Sequence, residues 1–168
     1  MKKALVNKVF DKTITDSFMN PDIQSAVHEL IGKKCCRQSV GEFKSLTLGF
    51  GKKTESKNAP LGYRGEWEIL TYYSGWRVIY GGQILCAGGD GEESYDLNKI
   101  LGRIELTCIS SIEPKELDVR LLFDNKVVVD ILALNHASDS DIVDIFCPQN
   151  RIISFGFKTG WKIENETH

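Results

Sequence analysis

The chain has 168 residues, a length that favours one domain and needs no disulfide or metal staple. Hydrophobic residues make up 42% and charged residues 26%, as in ordinary globular proteins, which excludes long disorder. The net charge is −2, so no overall basic field indicates a nucleic-acid-binding protein. We therefore interpret residues 1–168 as a single domain in which residues 1–19 form an N-terminal extension.

Charge is divided unevenly along this chain. Residues 1–60 carry a net charge of +5, whereas residues 61–168 carry a net charge of −7. Two turn-like stretches of the second part are acidic, residues 90–93 and 139–141. An acidic surface of this kind attracts a basic partner and speeds its association.

The predicted elements begin with a helix that starts after residue 20. Asn20 is a good N-cap and Pro21 a good first helical residue, because a helix start leaves its first N–H groups unpaired. Gly32 is well placed to end the helix, since glycine adopts the left-handed conformation at little cost. Apolar side chains recur between these residues with helical spacing, at Ile23, Ala26, Val27, Leu30 and Ile31.

A second, shorter helix is predicted to end at Gly102, and strands fill most of the remaining chain. Side chains alternate between apolar and polar with period two in residues 46–50, 117–123 and 127–133. The polar stretch 51–60 predicts an exposed loop. The pattern indicates a strand-dominated α+β protein with two helices and about eight to ten strands.

Short segments also match each other in the same order along the chain, which predicts an internal repeat. We predict two tandem pseudo-repeats, each a helix followed by an antiparallel β-meander, over about 20–90 and about 94–165. Gly32 and Gly102 are then expected at equivalent positions, as are Phe50 and Phe123. The matching pairs are residues 30–33 with 100–103, 46–50 with 119–123, and 80–85 with 147–153.

The five cysteines lack the spacing of a zinc site or of a disulfide framework. Cys86, Cys108 and Cys147 lie in apolar runs such as residues 84–87, where cysteine acts as a small hydrophobic residue. We expect these three thiols to be reduced and buried, as in a cytoplasmic protein. Asn7 interrupts the first apolar run too early for a signal peptide, and no stretch has the roughly 20 apolar residues of a membrane helix.

No catalytic, metal-binding or cofactor-binding pattern is present in the sequence. The three histidines form no metal motif, and residues 139–143 do not match a calcium loop. Residues 49–53 and 88–91 are rich in glycine but lack the spacing of phosphate-binding loops. A nucleophile elbow is also missing. The sequence therefore predicts a non-enzymatic protein without metal or cofactor.

Aromatic residues are densest in residues 63–77. We expect a long hairpin here, with Trp67, Ile69 and Val78 facing the core. Tyr72 and Arg77 are of the types enriched at interaction hot spots, which makes them candidate anchors for a partner protein.

The aromatic pattern of residues 65–79 and the strand pattern that follows carry a resemblance to a known group of proteins. Residues 84–85, 101–102 and 121–125 complete that pattern. It resembles small bacterial proteins of unknown function that are encoded beside polymorphic or contact-dependent growth-inhibition toxins and are interpreted as immunity proteins. The resemblance implies a cytoplasmic protein that binds one cognate toxin domain and neutralises it.

The toxin partner would then be a basic nuclease, because a nuclease needs positive charge to hold phosphate and an acidic surface on this protein would attract it. Direct binding to nucleic acid or to a membrane is not expected. The alternative is a small-molecule-binding or sensing β domain with a pocket between the two repeats. The candidate partner-binding residues are Asp90, Glu92, Glu93, Asp139, Asp141, Tyr72 and Arg77.

Overall fold

A computed structural model describes most of the chain and confirms a strand-dominated α+β fold. Its helices are α1 (Pro21–Leu30) and α2 (Ser94–Leu101). No helix in the described part is long and apolar enough to cross a bilayer. The described residues are 20–72, 75–89, 91, 93–115, 118–133, 140–156 and 158–165.

Eleven strands occur in the described residues, slightly more than the predicted eight to ten. They form two antiparallel sheets. The first five strands are β1 (Cys35–Val40), β2 (Leu46–Glu55), β3 (Tyr63–Thr71), β4 (Trp76–Tyr80) and β5 (Gln83–Ala87). The others are β6 (Ile109–Lys115), β7 (Asp118–Phe123), β8 (Val128–Ile131), β9 (Asp141–Cys147), β10 (Arg151–Gly156) and β11 (Gly160–Asn165).

The chain passes from one sheet to the other and back. Sheet I has the order β1-β2-β3-β9-β10-β11, and sheet II has the order β5-β4-β8-β7-β6. Ile69 of β3 lies opposite Ile145 of β9, and Val78 of β4 lies opposite Val129 of β8. Each half of the chain therefore supplies strands to both sheets. The hairpin predicted over residues 63–77 is wrong, because β3 and β4 belong to different sheets.

The first helix forms as its sequence predicts, whereas the second ends differently. Ile23 N donates a hydrogen bond of 2.9 Å to Oδ1 of Asn20, which caps α1. Gly32 follows the helix at a φ of 85°, in the left-handed region. Gly102 ends α2 at a φ of −63°, in the ordinary helical region. The predicted equivalence of Gly32 and Gly102 is therefore wrong for their backbone conformation.

The segments that enter β1 and β6 are hydrogen-bonded to each other. Gly32 N donates to Ile109 O at 2.7 Å, and Ile109 N donates to Lys33 O at 3.1 Å. Phe50 of β2 lies opposite Cys35 and Phe123 of β7 lies opposite Ile109, and the two rings stack with centroids 6.2 Å apart. Sheets I and II are thus joined at this point by backbone hydrogen bonds and by an aromatic pair.

One hydrophobic cluster fills the space between the inner faces of the two sheets and includes one face of each helix. Trp67, Trp76 and Phe50 are its largest fully buried side chains. The predicted burial of Trp67, Ile69 and Val78 is confirmed. A core built jointly by both sheets makes either sheet dependent on the other for its burial.

The cysteines form no disulfide, and all five lie in the described part of the chain. Cys86 and Cys147 are buried as expected, but Cys108 is only half-buried and forms an isolated bridge with Lys34 just before β6. Burial raises the pKa of Cys35 to about 12 and that of Cys147 to about 11. Both thiols are therefore protonated, and poor nucleophiles, near neutral pH.

The loop predicted for residues 51–60 is half strand, because β2 continues to Glu55. Gly51 adopts a φ of 78° at an irregularity between Phe50 and Lys53, after which β2 resumes its pairing with β3. The side chains beyond Gly51 are exposed, so their polarity is compatible with a strand that leaves the core.

Candidate functional site

Tyr72, one of the two predicted anchors, is tied to an acidic residue of the neighbouring strand. Its hydroxyl donates a hydrogen bond to Oδ2 of Asp144. Burial and this contact with Asp144 raise the pKa of the tyrosine. Tyr72 remains partly exposed at the end of β3, held in one orientation.

The structure describes only part of the predicted acidic surface. Asp141 pairs with Lys162, whose Nζ lies 3.2 Å from Oδ2 of Asp141, so its charge is compensated locally. Glu93 is exposed and directly precedes α2. The other three predicted acidic residues, Asp90, Glu92 and Asp139, lie outside the described residues. Glu93 and Asp141 belong to separate elements of the fold.

Arg77, the other predicted anchor, lies on the outer face of sheet II beside a buried carboxylate. Asp130 is only 4% exposed and lies opposite both Arg77 and Arg120. Nη2 of Arg77 lies 3.0 Å from Oδ2 of Asp130, and Nε of Arg120 lies 2.6 Å from Oδ1. Asp130 therefore holds two guanidinium groups against the sheet. A cavity of about 160 Å³ beside them is also lined by Lys115 and Asp118.

We expect the Asp130 cluster to contribute pH-dependent stability. Burial favours a higher pKa for Asp130, but hydrogen bonds from Arg120 and Arg77 outweigh it and hold the pKa below its ordinary value. Such a group stabilises the fold fully above the ordinary aspartate pKa, and the contribution is lost as the pH falls through the lowered pKa. Asp130→Asn should reduce the free energy of unfolding by about 1.5–3 kcal/mol at pH 7.

The measurement is denaturant unfolding of wild type and Asp130→Asn from pH 7 down to pH 2. The difference between the two proteins should shrink below about pH 4. Asp124→Asn, at an exposed turn position, is the control and should show little difference at any pH. A difference that is equal at pH 7 and pH 3 would contradict the assignment.

Two cross-strand rows of side chains run over the outer face of sheet II. The registers of the four strand pairs define both rows. The charged row consists of Ala87, Arg77, Asp130, Arg120 and Glu113. The neighbouring row consists of Ile84, Ile79, Val128, Leu122 and Ser111, and is apolar except at its β6 end.

Strand β5, at one border of sheet II, exposes large apolar side chains. Ile84 is 58% exposed, Tyr80 on the adjoining β4 is 52% exposed and Leu85 is 39% exposed. The register of β4 with β5 shifts between Val78 and Ile79, so β5 has one residue more than β4 at this point, as in a β-bulge. We call β5 and these three side chains the β5 edge.

The β5 edge differs from the other three sheet borders of the described structure. On β1, Gln38 Nε2 donates to Leu101 O at 2.6 Å, which ties α2 to this border. Border strand β6 carries Pro114 and Lys115, and β11 carries Lys162 and Glu164. Charged residues and proline are the usual protection of a border strand against pairing. Strand β5, with the sequence QILCA, has neither.

Sequence reasoning missed the β5 edge. The apolar character of residues 84–87 favours burial, yet only Cys86 of this run is buried and Ala87 is half-buried. The signal that was available is a short uncharged strand bounded by Gly81-Gly82 and Gly88-Gly89. Its border position depends on distant strands, which local periodicity does not report.

Two further features bear on other functions. A cavity of about 380 Å³ lies between residues 34–38 of the first half and residues 102–106 of the second, with Tyr63 and Leu61 at its side. Among the residues that the structure describes, no group of three histidine, cysteine, aspartate or glutamate side chains could hold a metal ion.

Comparison of the chain with known proteins adds no relative to this description. No protein-family model, curated protein or solved structure matches it.

Proposed function

We propose that this protein is a non-enzymatic binding protein whose contact surface is the β5 edge. The observation that carries the proposal is an uncharged border strand with Ile84, Leu85 and Tyr80 exposed beside it. An extended segment of a partner can add to such a strand through main-chain hydrogen bonds. Apolar side chains at the same place supply the buried contact area that stabilises the complex.

Within this class we propose an immunity protein that acts in the cytoplasm and neutralises one toxin domain. The support is the sequence resemblance over residues 65–79 and the strands that follow, together with the exposed β5 edge. The acidic residues Asp90, Glu92, Glu93 and Asp139 would then speed the encounter with a basic toxin, while the β5 edge would slow dissociation.

The test is co-expression with the C-terminal domain of a secreted protein encoded next to the gene of this chain. The wild-type chain should restore growth, and Ile84→Lys should not, because a lysine on the border blocks strand addition. The purified variant should keep the unfolding midpoint of wild type and bind the toxin at least about tenfold more weakly.

Leu61→Lys is the matched control, since Leu61 is 55% exposed and lies between β2 and β3 of the other sheet. This variant should protect cells as well as wild type does. Equal protection by Ile84→Lys, or a neighbouring gene set of metabolic enzymes with no toxin, would overturn the proposal.

We further infer that the two halves of the chain, about 20–90 and about 94–165, are pseudo-repeats. The support is a matched register: Cys35 lies opposite Phe50 in one half and Ile109 opposite Phe123 in the other. Each hairpin shifts register directly after that pair. Superposing residues 35–50 on residues 109–123 in a crystal structure tests the inference. The rings of Phe50 and Phe123 should then coincide, and rings in different places would contradict the inference.

The second candidate function is small-molecule binding in the cavity between residues 34–38 and 102–106. The volume of this cavity, about 380 Å³, is within the range of ligand sites. The cavity lies between the two halves of the chain, where a small-molecule-binding domain with a pocket between its repeats would have its ligand. A metabolite library tested for shifts in the unfolding midpoint distinguishes this function. A ligand that stabilises wild type but not Tyr63→Ala would favour it over protein binding.

A further inference from the structure

The small cavity on the outer face of sheet II has a lining that is charged throughout. Its lining residues are Arg77, Lys115, Asp118, Arg120 and Asp130. They carry three positive and two negative charges, which leaves the lining with one excess positive charge. The volume of about 160 Å³ is well below the roughly 300–1,000 Å³ of an ordinary ligand site. The cavity therefore suits one small polar group and not a whole apolar ligand.

The registers of four strands bring these side chains to one face. Arg77 of β4 and Arg120 of β7 lie opposite Asp130 of β8, one on either side of it. Lys115 of β6 lies opposite Asp118 of β7. Because alternate residues of a strand share a face, Asp118 lies on the same face as Arg120. The five charges are thus assembled by strand pairing and not by a loop.

The buried carboxylate of Asp130 fixes both arginines at one edge of their guanidinium groups. Arg77 contacts Oδ2 through Nε at 3.1 Å and through Nη2 at 3.0 Å. Arg120 contacts Oδ1 through Nε at 2.6 Å and Oδ2 through Nη2 at 3.1 Å. Nη1 of each arginine takes no part in these contacts, and the two side chains stay 39% and 29% exposed. Each guanidinium group therefore keeps N–H donors for a further acceptor.

The other two lining residues differ in how far their charge is already used. Oδ1 of Asp118 accepts a hydrogen bond of 2.9 Å from Ala133 N, which turns this carboxylate toward the backbone. Lys115 is exposed, and none of the ion pairs between described residues includes it. The cavity thus offers one ammonium group beside two guanidinium groups that are held in place.

A carboxylate is the group that these donors suit best. Arginine binds a carboxylate through two parallel N–H···O bonds, and guanidinium groups that are already fixed lose little further freedom on binding. One negative charge balances the excess positive charge of the lining, whereas a dianion would leave a negative charge beside Asp118. Glu113 lies opposite Arg120 on the side away from Asp130 and accepts a hydrogen bond of 3.2 Å from the hydroxyl of Ser111. This carboxylate of the chain therefore does not line the cavity.

We propose that the cavity is a binding site for one carboxylate group, which Arg77, Arg120 and Lys115 hold together. The group belongs either to a free small carboxylic acid or to an acidic side chain of a partner protein. The lining residues come from β4, β6, β7 and β8, and none comes from β5. The carboxylate site is therefore a second binding site of this protein, separate from the β5 edge.

The experiment is titration of the full-length protein with sodium acetate at pH 7, where acetate is ionised. The NMR signals of the arginine Nε–H groups report on binding. The signals of Arg77 and Arg120 should shift with acetate until they saturate, and they should not shift with sodium chloride at the same ionic strength. Sodium sulfate should bind more weakly than acetate, because it brings a second negative charge.

Two variants locate the carboxylate. Lys115→Gln should weaken acetate binding at least about threefold, since an exposed ammonium group contributes modestly. Arg77→Gln should weaken it at least about tenfold, because both of its hydrogen bonds to the carboxylate are lost. Arg120 still pairs with Asp130 in this variant, so it should fold as wild type does.

Two controls accompany these variants. Lys57→Gln removes a positive charge from an exposed position between β2 and β3 of the other sheet, and should bind acetate as wild type does. Ile84→Lys leaves the cavity lining intact and should also bind acetate normally. Because Ile84→Lys is the variant that tests the proposed function, the carboxylate site and that function fail or succeed separately.

A short peptide distinguishes the two sources of the carboxylate. The peptide Gly-Ser-Glu-Ser-Gly, blocked at both ends, carries a single carboxylate on its glutamate. A shift of the Arg77 and Arg120 signals with this peptide, and not with its glutamine version, would assign the site to an acidic side chain of a partner. A response to acetate but not to the peptide would assign it to a free small acid.

Three results would overturn the inference and leave the proposed function standing. The first is an equal response of the arginine signals to acetate and to chloride. The second is acetate binding that neither Lys115→Gln nor Arg77→Gln weakens. The third is tighter binding of sulfate than of acetate, which would assign the cavity to a dianion.

Discussion

Replacing Glu68 with alanine lowers the free energy of unfolding by about 3–5 kcal/mol, because Arg37 is left buried without its counter-ion. The two side chains belong to residues only 9% and 8% exposed, and their charged atoms lie 2.7 Å apart. Gly65 N also donates to Oε1 of Glu68 at 3.3 Å, so the carboxylate has a second donor to lose. Denaturant unfolding followed by tryptophan fluorescence measures the effect, since Trp67 is buried on the same strand.

Two controls show whether burial causes this loss. Lys33→Ala breaks the exposed pair between Lys33 and Glu66, whose atoms lie 3.3 Å apart, and should cost at most about 1 kcal/mol. The double variant Arg37→Leu with Glu68→Leu removes both charges and should be far more stable than Glu68→Ala alone. A cost below about 1 kcal/mol for Glu68→Ala would contradict the assignment of a buried ion pair.

Truncating Phe123 to alanine lowers the free energy of unfolding by about 3–5 kcal/mol, because the removed ring leaves a cavity in the core between the two sheets. Phe123 is 3% exposed and Phe50 is fully buried, and their rings stack across the core. A double-mutant cycle with Phe50→Ala should give a coupling of about 0.5–1.5 kcal/mol, the usual range for an aromatic pair.

The same variants test whether the protein unfolds as one unit. Phe50 lies in sheet I and Phe123 in sheet II. Either truncation should therefore lower the midpoint of one unfolding transition that involves the whole protein. Circular dichroism and tryptophan fluorescence should report the same midpoint in each variant. Two separate transitions, of which only one responds to Phe123→Ala, would show that the sheets are independent.

Local patterns predict the elements of this fold better than their arrangement. The cap at Asn20 and the apolar spacing up to Leu30 are sufficient for α1, because helix signals act within a few residues. Residues 63–77 are dense in aromatic residues, and that pattern is the same whether the chain turns back on itself or passes to another sheet. The pairing of Ile69 with Ile145 depends on residues far apart in the sequence, which periodicity does not record.

The candidate site was predictable only in part, for a related reason. Tyr72 and Arg77 stand out by residue type, and the structure places both beside an acidic side chain, Asp144 and Asp130. Neither acid is near its partner in the sequence. Ile84 illustrates the opposite case, since its apolar character predicts burial and only its place at the border of sheet II exposes it.

The passage of the chain between the sheets has a consequence for synthesis on the ribosome. Strand β3 ends at Thr71, but its neighbour β9 begins at Asp141, so a nascent chain carries β3 unpaired on that side. At about 5–20 residues per second, the interval lasts about 4 to 14 seconds. Trp67 and Ile69, which are both buried in the folded protein, belong to β3 and are part of this unpaired strand. An open strand that carries such residues is a template for wrong pairing, so a chaperone that binds β3 would protect the nascent chain during this interval.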